Sequence, residues 1–127
     1  MAFEAAVPVL SVDDLARALD WYERVLGFGR SWSWGEPPEL AAVCRDRVEL
    51  NLARRGKLGP AGASQVYLRV SGIDAFHDAV VRAGAIIAVP IADRAYGMRD
   101  FSVHDESGNV LDFGEPTEEP PPPPRRM

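Results

Sequence analysis

Side chains with chemical potential recur in this chain at a spacing of two, which places them on one face of a β-strand. Trp32 and Trp34 form one such set, Glu49 and Asn51 a second, and Gln65, Tyr67 and Arg69 a third, interleaved with small or aliphatic residues. Asp112 alternates in the same way with Leu111 and Phe113. Together they supply broad π-faces, carboxylates, amides, a phenol and a guanidinium. Such groups suit stacking and cation-π binding of a planar or cationic molecule. They also suit proton transfer, with Glu49, Asp112 or Tyr67 as the acid or base and Arg69 stabilising an oxyanion.

Other reactive residue types point away from chemistry. Cys44 is the only cysteine and lies in the apolar run Leu40 to Cys44, which excludes an intramolecular disulfide and a cysteine-based metal cage. His77 falls on the inward stripe of a predicted helix and reads as a packing residue. His104 stands next to Asp105 at a strand end, with no partner at ligand spacing.

The elements that position these groups come as one unit used twice. Leu10-Ser11-Val12-Asp13-Asp14-Leu15 returns as Leu68-Arg69-Val70-Ser71-Gly72-Ile73, each copy following an extended stretch and opening an amphipathic helix. In the first copy a strand over Phe3 to Val12 ends at Asp13, which the pattern makes the helix cap. Leu15, Leu19, Tyr22 and Leu26 form one apolar stripe, and Gly27 supplies the stop. The second copy offers a strand from Gln65 to Val70, Ser71 as cap, Ile73, Phe76, His77 and Val80 as the stripe, and Gly84 as the stop. Strands are expected at 30–34, 40–44 and 48–52 after the first helix, and at 86–89, 101–104 and 110–113 after the second.

The fold class expected is therefore α+β: two tandem βαβββ modules forming a curved, cleft-enclosing mixed sheet with the helices outside. Module one spans about 1–55 and module two about 64–115 within a single domain over 1–117, and the Gly- and Pro-containing linker 54–64 separates them. Residues 118–127, with Pro120 to Pro124, read as a flexible tail. Strand alternation turns Leu10, Val12, Val66 and Leu68 toward the helices and Val7, Val9, Ser11, Gln65, Tyr67 and Arg69 toward the cleft.

Composition narrows the partners. Of 127 residues, 14 are Lys or Arg and 19 are Asp or Glu, giving a net charge of −5, and the basic residues form no stripe, so nucleic acid is not an expected partner. No run approaches a membrane span and no charged-then-apolar leader opens the chain, so the cytoplasm is the expected compartment.

Three segments, Val12 to Phe28, Tyr96-Gly97-Met98-Arg99-Asp100-Phe101 and Asp105 to Phe113, give the chain a specific resemblance. From about Ala5 to Glu115 it resembles the vicinal oxygen chelate superfamily of glyoxalases, bleomycin resistance proteins and dioxygenases, and within it the antibiotic-binding members. The resemblance implies a homodimer whose clefts bind a small molecule. It adds Tyr96, Met98 and Arg99 to Trp32, Trp34, Glu49, Asn51, Gln65, Tyr67, Arg69 and Asp112 as candidate ligand contacts. Enzymes of the superfamily hold a divalent metal with one His, Glu or Gln from the first and last strands of each module. Here those positions fall at Val7, about Glu49, Gln65 and Asp112, a set without imidazole, so no metal and no cofactor are expected. The function implied is sequestration of a bleomycin-like or other planar or cationic natural product, conferring resistance. The alternatives are a tailoring isomerase, lyase or cyclase, and a metal-dependent glyoxalase or dioxygenase.

Overall fold

The computed structural model describes residues 1–54 and 59–118. Module one contains β1 (Val9–Val12), α1 (Leu15–Arg24), β2 (Gly29–Trp34), β3 (Leu40–Arg45) and β4 (Val48–Arg54). Module two contains β5 (Gln65–Arg69), α2 (Ile73–Arg82), β6 (Ile86–Asp93), β7 (Met98–His104) and β8 (Val110–Pro116). Both run βαβββ, as the repeat requires. Part of the expected linker, positions 55–58, and the tail from 119 lie outside the described residues.

Each module makes one mixed sheet, with strand order β1-β4-β3-β2 in the first and β5-β8-β7-β6 in the second. The mixed sheet expected from sequence is built as two four-stranded sheets, one per module, which among the described residues are not joined by strand hydrogen bonds and do not close. They share a core instead. Leu10, Val12, Leu50 and Leu52 from one module and Leu68, Ile73, Val80, Phe101 and Phe113 from the other belong to one buried cluster. Each helix packs on one face of its own sheet and leaves the opposite face open.

Helix α1 buries Leu15, Leu19 and Tyr22 of the predicted stripe, together with Ala18 and Trp21, and Leu26, the last of the stripe, is buried in the turn just after it. Its cap is Asp14 rather than Asp13: the Asp14 carboxylate accepts from the Arg17 N–H at 3.1 Å. Asp13 lies one residue too far back, and its own N–H donates to Ser107 Oγ. In α2 the cap position is Gly72, not Ser71. It adopts the left-handed conformation at φ 72°, and its N–H donates to Glu115 Oε2 at 2.6 Å. His77 packs edge-on against Phe101, with ring centroids 4.9 Å apart, in keeping with a packing role.

Strand β1 starts at Val9 rather than Phe3. Its parallel partner β4 pairs Asn51 through Arg54 with Val9 through Val12. Before that register Pro8, which has no N–H to give, contributes only its carbonyl, to the Asn51 N–H. Residues Met1 to Val7 are exposed.

The modules are stapled by the turn from Asp105 to Asn109. Asp105, buried, accepts from Tyr22 OH at 2.8 Å and from Asn109 Nδ2 at 2.9 Å. Asn109, fully buried, also donates from Nδ2 to Ser11 O at 2.8 Å and accepts at Oδ1 from the Ser64 N–H at 3.0 Å. Burial and the Asp105 charge hold the Tyr22 phenol well above its ordinary pKa. Gly62 passes so close that an added Cβ would meet Ser107 O at 2.1 Å, so this approach requires glycine.

Candidate functional site

The open face of module two is built by β5, β8 and β7. Register places Asp112 between Tyr67 on β5 and Ser102 on β7, and Gly114 between Arg69 and Asp100. Asp112 accepts from Gln65 Nε2 at 2.8 Å through one oxygen and from Ser102 Oγ through the other. One step along the strands, Asp100 collects three donors: Tyr67 OH at 3.0 Å, Tyr96 OH at 2.5 Å and Arg94 Nε at 2.8 Å.

These contacts fix the titration of the cluster. Burial by itself would raise the Asp100 pKa, but hydrogen bonds from Tyr96, Arg94 and Tyr67 outweigh it and hold the carboxyl below its usual value. The same pairing acts on the phenols in the opposite sense. Desolvation and then the bond to Asp100 push Tyr67 up to about 12. Tyr96 is raised first by its bond to Asp100. At neutral pH this is an ionised carboxylate holding two neutral phenols, whose rings remain substantially exposed at 42% for Tyr67 and 57% for Tyr96. Tyr67 lies over Gly114, where a Cβ would sit 1.9 Å from its hydroxyl, so the phenol can reach Asp100 only because residue 114 lacks a side chain.

The open face of module one has the same frame with different chemistry. Asn51 pairs with Val9 on one side and Ala42 on the other, and Ala42 pairs with Trp32. Since Val9 and Tyr67 are equivalent in the repeat, the counterpart of Asp112 is Asn51 and not Glu49. Neither Val9 nor Ala42 carries a polar side chain, and Asn51 Oδ1 is buried without a hydrogen-bond partner. Trp32 and Trp34 stand exposed on the edge strand, at 43% and 61%. Glu49 is half-buried on β4, opposite Cys44.

Most of the candidate contacts gather on these two faces. Trp32, Trp34, Glu49 and Asn51 lie on module one; Gln65, Tyr67, Tyr96 and Asp112 lie on module two, with half-buried Met98 on the Asp100 side of β7. Arg69, at the end of β5, is exposed beside Tyr67. Arg99 is not among them. It shares the helix-facing side of β7 with Phe101 and binds Asp74 of α2 at 2.9 Å and Asp93 at 3.2 Å.

The sequence reading missed Asp100, Arg94, Ser102 and Gly114. Beginning β7 at Phe101 cut Asp100 off the strand. Continuing the alternation back from Ser102 puts Asp100 on the open side and Arg99 on the helix side.

A divalent metal fits this donor set poorly. By register its four positions are Val7, Asn51, Gln65 and Asp112, one apolar, two amides and a single carboxylate whose two oxygens already accept hydrogen bonds. Among the described residues, no three of His, Cys, Asp or Glu are grouped to hold an ion.

The paired βαβββ modules and their open faces define a class. The chain belongs to the Glyoxalase/Bleomycin resistance protein/Dioxygenase superfamily, whose model matches residues 5–113. Among solved structures it resembles the bleomycin-binding protein from bleomycin-producing Streptomyces verticillus, complexed with copper(II)-bleomycin. The two are 26% identical, with a TM-score of 0.76 over 94% of this chain and 99% of that one. TioX from Micromonospora sp. ML1 is also 26% identical, at a TM-score of 0.80 over 89% and 98% of the two chains. TnmS3, an antibiotic binding protein from Streptomyces sp. CB03234, shares the fold at 22% identity and a TM-score of 0.80, covering 92% and 99%. No curated protein matches in sequence. No helix among the described residues is long and apolar enough to cross a membrane.

Proposed function

We propose that this chain binds a planar natural product rich in hydrogen-bond donors, bleomycin-like in character, and confers resistance by holding it unaltered, without a metal, in the cytoplasm. The observation that carries this reading is the pair of exposed indoles, Trp32 and Trp34, on an open sheet face whose counterpart presents two exposed phenols tethered to one carboxylate. Stacking on such rings contributes about 0.5–1.5 kcal/mol each beyond area burial. The polar groups around them are mostly acceptors: the donors of Gln65, Ser102, Tyr67, Tyr96 and Arg94 are directed at Asp112 and Asp100. Asn51 Oδ1 still lacks a donor. Asp112 is held only by the neutral donors of Gln65 and Ser102 and meets no cation among the described residues, which suits this face to a cationic ligand. Similarity to the bleomycin-binding protein supports the same class.

The clefts are completed by a second copy. In one protomer Val7, Val9, Trp32 and Trp34 are exposed together with the β2 edge, a combination that self-association covers. Proton-transfer chemistry is the weaker reading. Tyr67, pushed up to about 12, is no base at neutral pH, and Asp100 is fully engaged by donors.

The test is equilibrium titration of EDTA-treated protein with metal-free bleomycin, followed by sedimentation and by mass spectrometry of the recovered drug. Micromolar or tighter binding at one drug per chain of a dimer, with unchanged drug mass, is expected. An altered mass would give the enzyme reading priority. Absence of binding to bleomycin and to other planar cationic products would end the sequestration reading.

A further inference from the structure

The helices α1 and α2 occupy equivalent places in the duplicated frame, yet they differ in bulk along one side. Trp21, Tyr22 and Val25 of the first copy correspond to Ala79, Val80 and Ala83 of the second. Beside α1 the hydroxyl of Tyr22 bonds to Asp105 of the β7–β8 turn across the seam. Beside α2 the equivalent β3–β4 turn, Arg45-Asp46-Arg47, faces the smaller set. A groove of about 880 Å³ remains between turn and helix, on the helix-covered side of the second sheet.

The groove has an apolar floor and a cationic rim. Ala75, Phe76 and Ala79 line it, with Val80 and Phe113 buried beneath them, and Arg45 and Arg47 stand at its rim. Arg45 donates to Leu26 O at 2.6 Å, and its guanidinium lies 5.3 Å from the centre of the Phe76 ring. Among the described residues neither of these two arginines forms an ion pair. In a chain of net charge −5, two guanidiniums without an ion pair beside one apolar hollow select for an anion, and among the described residues Asp46 is the only carboxylate lining it. The volume also falls within the roughly 300–1,000 Å³ of small-molecule sites.

We propose that this groove is a second binding site, distinct from the open sheet faces, for a small amphipathic carboxylate. Its apolar body lies against Ala75, Phe76 and Ala79, and its carboxylate meets Arg45 and Arg47 through charge-assisted hydrogen bonds.

The experiment is calorimetric titration of the full chain with dodecanoate below its micellar concentration, with dodecyltrimethylammonium as the cation of equal length. One saturable site per chain is expected, preferring the anion by about tenfold or more. Ala79→Trp restores the bulk that α1 carries and is expected to abolish binding. Arg47→Gln is expected to weaken it about tenfold. Both positions are exposed, and thermal melts by circular dichroism verify that each variant folds. Lack of saturable binding, equal affinity for the cation, or binding that survives both substitutions would overturn the proposal. So would weakened self-association of Ala79→Trp in a protein that takes up no dodecanoate, since the groove would then be a contact between copies.

Discussion

In module two Asp112 sits between Tyr67 and Ser102, whereas at the same crossing in module one Asn51 sits between Val9 and Ala42. The backbone frame is shared and the side chains divide the labour. Module two satisfies its own polar groups: a serine, a glutamine, two tyrosines and an arginine converge on two carboxylates. Module one leaves an amide oxygen without a donor beside two exposed indoles. A duplicated unit can thus keep one face preorganised by its internal bonds while the other, on the same frame, leaves a polar atom unsatisfied and its aromatic rings bare.

The largest expected effect comes from removing the hub of the satisfied face. Asp100→Ala strands Arg94, Tyr67 and Tyr96, and is expected to cost about 3 kcal/mol in a denaturant melt. An unchanged melt would mean that the network contributes no rigidity. Next is the loss of a platform on the other face. Trp32→Ala is expected to weaken ligand binding about tenfold, near 1.4 kcal/mol, with little change in thermal stability because the indole is exposed.

The third substitution copies chemistry from one module to the other. Ala42→Ser places a hydroxyl where module two has Ser102 and gives Asn51 Oδ1 its donor. A gain of about 1 kcal/mol in chemical denaturation is expected, and a loss would show that the two crossings are not equivalent. Gly114→Ala is expected to turn Tyr67 away from Asp100 at a cost of about 1 kcal/mol, read most clearly as a fall of the Tyr67 pKa toward the ordinary phenol value.

The smallest effect is a titration. All three tyrosines are raised, so ultraviolet absorbance should show no phenol ionising with the ordinary midpoint of about 10. Tyr67 is expected to titrate at about 12. Because its folded pKa lies above the unfolded one, its contribution to stability is complete below pH ~10 and is lost as pH rises toward the folded value. Asp100 behaves in the opposite sense: its folded pKa is lowered, so its contribution is lost as pH falls through that value.

Much of the frame was legible because periodicity survives in short windows. The stripe of Leu15, Leu19, Tyr22 and Leu26, both glycine stops and all eight strands followed from alternation. Strand ends were not legible, since pairing partners set them: β1 begins where β4 offers Asn51. The candidate site was legible only where predicted strands extended far enough. Trp32, Trp34, Gln65, Tyr67 and Asp112 fall on open faces, while Asp100 is missed because the expected strand starts at Phe101, and Arg99, a candidate through the resemblance alone, lies on the helix side. Asn109 looked like one polar residue in a turn. Its hydrogen bond to Ser11 spans 98 positions, a distance that no local pattern encodes.

Ligand binding at the open face is tested most directly through the indole N–H resonances. The chain has three tryptophans, and Trp21, buried in α1, serves as the internal reference. Addition of metal-free bleomycin is expected to shift the signals of Trp32 and Trp34 in saturable fashion and leave Trp21 in place. Movement of Trp21 alone, or no movement of Trp32 and Trp34 when the drug is bound, would contradict an open-face site.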